Sequence, residues 1–212
     1  VLQAEAGFMF MNGEKEGPPV KMPVALIDVL AAHQLKEGIL LALLRRYQTG
    51  QGAYVSTSLF ESAVASLVNQ ATNWLMANHI PQRMGTQHPN IAPYGDSYVC
   101  LDEKAILLAV GTEKQFRNLC QVLQQNELIA VFPTNAFRVK NRSALNDALA
   151  KAIDQRNSQE LLSQLEKAGV PAASIRNMQE VFELASAQAM ILEEKQADGS
   201  VTKRVKTVAF EL

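Results

Sequence analysis

One carboxylate near the start of the chain has a position that suits chemistry. Asp28 is the only acidic residue between Pro19 and Glu37, and it lies where an extended segment changes into a helical pattern. An aspartate at a helix start is a favoured N-cap, and spacing alone favours that role. The position also suits a nucleophile, because a helix N-terminus favours the ionised form and an ionised carboxylate can attack an activated acyl group. The residues alone leave both roles open.

The neighbours of Asp28 bear on the second role. Leu26, Ile27, Val29 and Leu30 are all apolar, and we expect them to keep water away from the carboxylate. Water exclusion matters for a nucleophile of this kind, because an anhydride or thioester formed on Asp28 would otherwise hydrolyse.

No other pattern in the chain predicts a catalytic or cofactor site. The phosphate-binding patterns GxGxxG and GxxxxGK[ST] are absent, as is the nucleophile pattern GxSxG. His33, His79 and His88 are scattered, and the cysteines lack CxxC spacing. We therefore predict no metal and no permanently bound cofactor.

Composition excludes several classes of protein. The chain has 212 residues, 48% of them hydrophobic, a net charge of −1 and a pI near 6.4. It can bury a core, and it lacks the basic surplus that binds nucleic acid or an anionic membrane. Apolar runs are too short to span a bilayer. Two cysteines, Cys100 and Cys120, form no disulfide framework, which is typical of a reducing, cytoplasmic setting. The chain starts at Val1 without a signal-peptide pattern, and we expect the natural protein to begin upstream.

The elements that must position Asp28 can be read from periodicity. Residues 7–21 predict an irregular loop, and a helix is expected from Asp28 to Tyr47, ended by Gly50. Its second half, 39–44, is apolar on all sides and is expected to be buried against a sheet. A short strand is predicted at 53–56. A capping pattern at Ser58 then predicts a helix to Ala77. This order is typical of the end of an α/β domain.

A second group of elements follows a proline-rich stretch, 78–95, which is the best candidate for a domain boundary. Hairpins are predicted at 97–110 and at 191–210. Between them we expect helices at 112–123, 143–155, 158–168 and 177–189.

Five stretches, in the same order, resemble the class III CoA-transferase family of the CaiB/BaiF type. They are AEAGFMFMNGEKEGPPVKMPVALIDVLAAHQLKEGILLALLRRYQTGQG, VSTSLFESAVASL, GTQHPNIAPYGDSYVCLDEKAILLAVGTEKQFRNLCQVL, AFRVKNRSALNDAL and LEKAGVPAASIRNMQEV. Together they cover nearly the whole chain.

The resemblance implies a mechanism. The family's catalytic aspartate lies between the gPP loop and the following apolar helix, and Asp28 occupies that place. Asp28 is then the nucleophile of an acyl-CoA:carboxylate CoA-transferase that works through covalent aspartyl intermediates. An acyl-CoA thioester and a carboxylic acid are the implied substrates, and no contact to CoA is assigned within this chain.

The resemblance also implies an architecture. The fold class is α/β, with the C-terminal part of a Rossmann-type large domain followed by a smaller α+β domain. The expected division is 1–85 for the large domain and linker, 86–182 for the small domain and 183–212 for a returning hairpin. Family members form interlocked dimers, so a homodimer or a complementary N-terminal chain is the implied partner.

Three departures keep alternatives open. The family's N-terminal portion, with most of its CoA-binding positions, and its C-terminal GxHT-like motif have no counterpart here. Val29 to Ala32 also replace the small residues that often follow the aspartate. An α-methylacyl-CoA racemase-like isomerase of the same fold is therefore a second reading. A non-catalytic fragment or subunit is a third.

Overall fold

The computed structural model of the chain describes residues 1–210, which fall into two compact units. The first is Val1–Asn90, and the second comprises the described residues from Ile91 onward. The finer division at 85/86 and 182/183 stays a prediction.

The regular structure of residues 1–90 is helical. Its helices are α1 (Leu2–Glu5), α2 (Phe8–Met11), α3 (Leu26–Thr49), α4 (Leu59–Ala65) and α5 (Val68–Ala77). Residues 51–58 have no regular structure, so the predicted strand at 53–56 is wrong. A strand needs a neighbour to complete its hydrogen-bond ladder, and residues 1–90 supply none.

Helix α3 dominates the first unit and confirms the predicted helix within two residues at each end. Gly50 ends it in the left-handed region, with φ of 73°, and its amide donates to the carbonyl of Arg46 at 2.8 Å. A residue without Cβ adopts this conformation at little cost, and the last turn of the helix thereby gains a partner for one carbonyl.

The predicted burial of residues 39–44 is wrong. Only Ile27 and Ala31 of α3 are buried. The large apolar side chains of the second half are 45 to 61% exposed, namely Ile39, Leu40, Leu41, Leu43 and Leu44. Among the described residues α3 packs mainly on α4. Helix α4 covers only one side, whereas the second half of α3 is apolar on all sides.

The predicted helix from Ser58 to Ala77 is interrupted. Its start is confirmed, because the Ser58 hydroxyl oxygen accepts from the Glu61 amide at 3.1 Å. The interruption follows Ser66, whose hydroxyl donates back to the carbonyl of Ser62 at 2.8 Å, and Val68 has φ of 41°. Serine hydroxyls that donate to carbonyls of the preceding turn compete with the backbone hydrogen bonds of a helix. The periodicity of apolar residues, on which the prediction rested, contains no information about this competition.

A three-stranded antiparallel sheet organises the second unit. Strands β1 (Tyr94–Val99) and β2 (Ala105–Ala109) form the predicted hairpin around Asp102, and Tyr98 faces Ile106 in the register. Strand β3 (Ala172–Ser174) pairs with the other side of β2, so the order is β1-β2-β3. The sequence analysis did not predict β3, because three residues carry too little alternation to be recognised.

Five helices pack with this sheet. They are α6 (Glu113–Val122), α7 (Glu127–Val131), α8 (Asn135–Lys140), α9 (Arg142–Ile153) and α10 (Ser158–Lys167). The predicted capping box of Thr112 and Gln115 is present at the start of α6. The core is fully buried and includes Ile106, Leu108, Phe116, Leu119, Leu145, Leu149, Leu161 and Leu165. Helices α7 and α8 were not predicted.

The chain then leaves the sheet in short elements. The predicted helix at 177–189 is two helices, α11 (Met178–Phe182) and α12 (Ala185–Gln188), and Asn177 caps the first as expected. Strands β4 (Ile191–Lys195) and β5 (Val201–Val205) confirm the predicted second hairpin.

Candidate functional site

Asp28 lies in the first turn of α3. The N-cap of the helix is Ala25, without a side-chain cap, so Asp28 is the third helical residue. The N-cap interpretation of Asp28 is therefore wrong. The carboxylate is exposed and has no hydrogen-bond or ion-pair partner among residues 1–210. Its surroundings leave it available to react.

The apolar neighbours do not enclose the carboxylate as expected. Ile27 is 3% exposed and turns into the small core of the unit, where it packs with Ala6 and Ala63. Val29 points outward and is 45% exposed. In a helix these consecutive residues lie on different faces, so the described residues alone do not shield Asp28 from water.

Two backbone donors lie beside the carboxylate. The amides of Ile27 and Asp28 precede the first helical hydrogen bonds, and neither has a partner among the described residues. The amide of Val29 is the first to bond back, to the carbonyl of Ala25 at 3.2 Å. Free amides at a helix start attract negative charge, whether on a side chain or on a bound ligand.

The side chain of Gln3 on α1 positions the segment that enters α3. Its amide nitrogen donates to the carbonyls of Met22 and Val24, at 3.3 and 3.4 Å. Its amide oxygen accepts from the Met22 backbone at 2.9 Å. Nothing in the sequence signals this role, because the partners are about twenty positions apart.

Arg83 holds the loop that precedes this segment. Its guanidinium donates to the carbonyls of Gly17 and Phe10, each at 3.0 Å, and lies 5.4 Å from the centroid of the Phe10 ring. The sequence analysis missed Arg83, which lies more than sixty residues from both partners. The loop predicted at 7–21 is therefore wrong for residues 8–11, which form α2, and the rest of it is ordered by these contacts.

The same loop closes around a cavity of about 350 Å³ in the first unit. Gly13 and Gly85 lie on its wall, joined by a hydrogen bond from the Gly85 amide to the Gly13 carbonyl at 2.9 Å. Both have positive φ, 128° and 61°. A Cβ at Gly13 would lie 2.8 Å from the Pro18 carbonyl oxygen, so the loop requires glycine there.

The histidines and cysteines do not assemble into a site. Within residues 1–210 no three metal-binding side chains come together. Cys100 and Cys120 are free and buried. Burial raises the pKa of Cys100, and it raises the pKa of Cys120 to about 11. Both thiols are therefore protonated at neutral pH and poorly suited to nucleophilic chemistry.

Two arginines of the second unit have structural partners. Arg142 donates to Asp96 at 2.9 Å, and the Asp96 carboxylate also accepts from Asn146, which accepts from the Tyr98 hydroxyl. Burial, and next the charge of Asp96, raise the pKa of Tyr98. This network is satisfied internally, so it does not compete with Asp28 as a reactive group.

Arg138 forms the second of these pairs. Its guanidinium makes two hydrogen bonds to the Glu113 carboxylate, both 2.9 Å, and it stacks 4.2 Å from the centroid of the Phe116 ring. It also donates to the carbonyl of Ala92 at 2.9 Å. The hydrogen bonds from Arg138 hold the pKa of Glu113 below its usual range.

None of the described helices has both the length and the hydropathy required to cross a bilayer.

Comparison with known proteins defines the class to which the chain belongs. The family described as CoA-transferase family III matches residues 1–211. A succinate–glutarate CoA-transferase of Agrobacterium fabrum is 31% identical over 98% of this chain and 52% of its own length. A human succinyl-CoA:glutarate CoA-transferase is 33% identical over 86% of this chain and 42% of its own. A CaiB/BaiF family protein from Brucella suis superposes with a TM-score of 0.77 and 34% identity, over 99% of this chain and 55% of that one.

The chain therefore belongs to CoA-transferase family III, a family of enzymes. The resemblance in the sequence and the α/β fold class are both confirmed. The chain spans about half the length of the curated relatives it matches.

Proposed function

We propose that the protein acts in acyl-CoA:carboxylate CoA transfer, with Asp28 as the nucleophile. The observation that carries the proposal is the combination of family membership with an exposed, unpartnered carboxylate in the first turn of α3. In an enzyme of this class a carboxylate must be free to attack, and Asp28 is.

The reaction then runs through covalent intermediates on the carboxyl group of Asp28. The carboxylate attacks the thioester carbonyl of the donor, and the CoA thiolate leaves a mixed anhydride behind. The thiolate attacks the aspartyl carbonyl and releases the donor acid, which leaves an aspartyl thioester. The acceptor carboxylate attacks this thioester and displaces the thiolate again. The thiolate finally attacks the acceptor acyl carbon, which forms the new acyl-CoA and restores the Asp28 carboxylate.

The start of α3 assists these steps electrostatically. The positive end of the helix dipole lies beside the Asp28 carboxylate and attracts negative charge there. The free amides of Ile27 and Asp28 can donate to an oxyanion that develops on the aspartyl or acyl carbon. Both effects depend on the first turn of α3, which Gln3 and Ile27 hold in place.

The exposed flank of α3 supports a partner. Five large apolar side chains between Ile39 and Leu44 are 45 to 61% exposed, and a helix of this kind is stable when other elements cover it. We propose that further polypeptide of the family fold covers this flank and completes the CoA pocket. A complementary N-terminal chain or a second copy in a homodimer can supply it.

Three finer points accompany this proposal. Relatives named for succinyl-CoA and glutarate make short dicarboxylic acids the first substrates to assay. CoA enters only as a thioester substrate. The two buried, free thiols suit a reducing compartment, and we propose a cytoplasmic location.

A trapping experiment tests the role of Asp28. The chain, and in parallel the longest polypeptide expressed from its coding sequence, is incubated with succinyl-CoA and then with hydroxylamine or borohydride. We expect a mass change on the peptide that contains Asp28. Asp28→Asn should abolish the change and lower turnover by about a thousandfold or more, with a loss of stability of no more than about 1 kcal/mol. Glu37→Gln, an exposed carboxylate of the same helix, is the matched control and should keep full labelling.

Other outcomes favour the alternatives. An unmodified Asp28 peptide together with exchange of the α-proton of a branched acyl-CoA would favour a racemase-like isomerase. An unmodified peptide with neither activity, in both polypeptides, would favour a non-catalytic subunit. Labelling only in the longer polypeptide would show that the nucleophile needs further sequence to act.

A further inference from the structure

A groove lies beside strand β3 in the second unit. Its volume is about 1100 Å³. It is lined by residues of strand β3, by residues of α10, by Glu180 of α11 with Glu183 and Leu184 after it, and by residues 103–105. The groove lies entirely in residues 103–184, apart from the unit that contains Asp28.

The hydrogen-bond pattern of β3 leaves backbone groups open to this groove. The amide of Ile175 donates to Ala105 at 3.0 Å, and that of Ala109 donates to Pro171 at 2.9 Å. In an antiparallel pair the bonded positions alternate, so Ala172 and Ser174 direct their amides and carbonyls away from β2. These groups have no backbone partner among the described residues. Strand β3 is thus an open edge that can accept another strand.

The walls of the groove carry an excess of negative charge. Glu103, Glu166, Glu180 and Glu183 line it, against Lys104 and Arg176. Salt bridges in the described part of the chain neutralise none of the four carboxylates. An anionic ligand such as a CoA thioester is therefore disfavoured here, and a cationic one is favoured.

We propose that this groove binds an extended peptide segment of another protein that carries lysine or arginine side chains. The peptide adds a fourth strand to the sheet at β3, with main-chain hydrogen bonds to Ala172 and Ser174. Its basic side chains face Glu166 of α10, Glu180 of α11 and Glu183, which follows α11 directly.

A second copy of this chain fits the groove less well. Its basic strand, β5, already uses Lys203 and Arg204 in salt bridges to Glu193 and Glu194, at 2.6 and 3.7 Å. Binding through β5 would therefore compete with contacts that the hairpin makes for itself.

Fluorescence anisotropy with a labelled decamer of alternating lysine and valine tests the proposal on the complete 212-residue chain. We expect saturable binding, and no binding of the matching glutamate–valine decamer. Ser174→Pro removes an outward amide without touching the bonds to β2, and it should weaken binding about tenfold. Glu166→Lys should also weaken it about tenfold, and Asp147→Lys, on exposed α9 surface outside the groove, should leave it unchanged.

Several results would overturn the proposal. One is the absence of saturable binding to the unmodified chain. Another is equal weakening by Glu166→Lys and Asp147→Lys, which would indicate non-specific charge attraction. Circular dichroism melts check whether Ser174→Pro is folded. Ser174→Ala keeps the backbone amide, so it should bind the peptide as the unmodified chain does. A further result would be self-association of the unmodified chain in sedimentation velocity, together with no peptide binding. If Ser174→Pro abolished that self-association, the occupant of the groove would be a second copy of this chain.

Discussion

The side chain of Gln3 pairs with the backbone of Met22 in both directions, accepting from its amide at 2.9 Å and donating to its carbonyl at 3.3 Å. Met22 lies six residues before Asp28, so this pair fixes where the chain enters α3. We expect Gln3→Ala to leave the amides of 22–28 more mobile, and hydrogen exchange there should accelerate. Each hydrogen bond lost costs about 1 kcal/mol or less at an exposed site.

Gln70→Ala, a change of the same type on α5, is the comparison for this variant. Its side chain accepts from Asn73 at 3.3 Å and has no hydrogen bond to residues 22–25 among the described residues. Equal exchange at 22–28 in the two variants would contradict a positioning role for Gln3.

Gly38 is the second testable position, because it lies within α3 against Val55. A Cβ at Gly38 would lie 2.7 Å from a methyl carbon of Val55. Alanine normally stabilises a helix by about 1 kcal/mol over glycine, yet Gly38→Ala should destabilise this chain. Denaturant unfolding should show the loss, and the double variant Gly38→Ala/Val55→Ala should recover part of it. A single variant more stable than the unmodified chain would contradict the prediction, because it would show that residues 51–58 shift at little cost in free energy.

The Glu113–Arg138 pair predicts a dependence of stability on pH. The folded pKa of Glu113 is lowered, so the contribution of the pair is complete above the unfolded pKa of about 4.5 and is lost as pH falls through the folded value. The difference in unfolding free energy between the unmodified chain and Glu113→Gln should therefore shrink as pH falls below about 4.5. Glu127→Gln, exposed and outside the described salt bridges, should show a smaller change. A difference that stays constant between pH 7 and pH 3 would contradict the assignment.

Asp96 and Arg142 form the buried pair of the second unit, with side chains 1% and 10% exposed. Asp96→Ala removes the buried carboxylate to which Arg142 and Asn146 donate, and we expect a loss of about 3–5 kcal/mol in unfolding free energy. Asp147→Ala, an exposed aspartate of α9, should change stability by about 0.5 kcal/mol or less. Chemical denaturation of both variants checks the difference, and similar values would show that the pair contributes little.

Local patterns determined much of the fold. Capping residues such as Ser58, Thr112 and Asn177 predict helix starts correctly, because a side chain within three positions satisfies the free amides. The two hairpins followed in the same way from turn residues between apolar runs. These features depend on neighbours in sequence, so a sequence contains the information directly.

The predictions that failed concern contacts between residues that are distant in sequence. The predicted strand at 53–56 has local β propensity but no partner strand in residues 1–90, and β3 forms only because β2 offers an edge. The burial of α3 was misjudged for the same reason, because a periodicity of apolar residues predicts a face but not what covers it.

The same distinction between local and long-range contacts applies to the candidate site. The sequence by itself determined that Asp28 lies near the start of a helix and within an ordered set of family motifs, because both are properties of residue order. Only the tertiary structure decided that Asp28 is the third helical residue rather than the cap, and that its carboxylate is exposed and unpartnered among the described residues. Only the structure identified Gln3 and Arg83 as residues that position the site, because their hydrogen bonds join positions that only folding brings together.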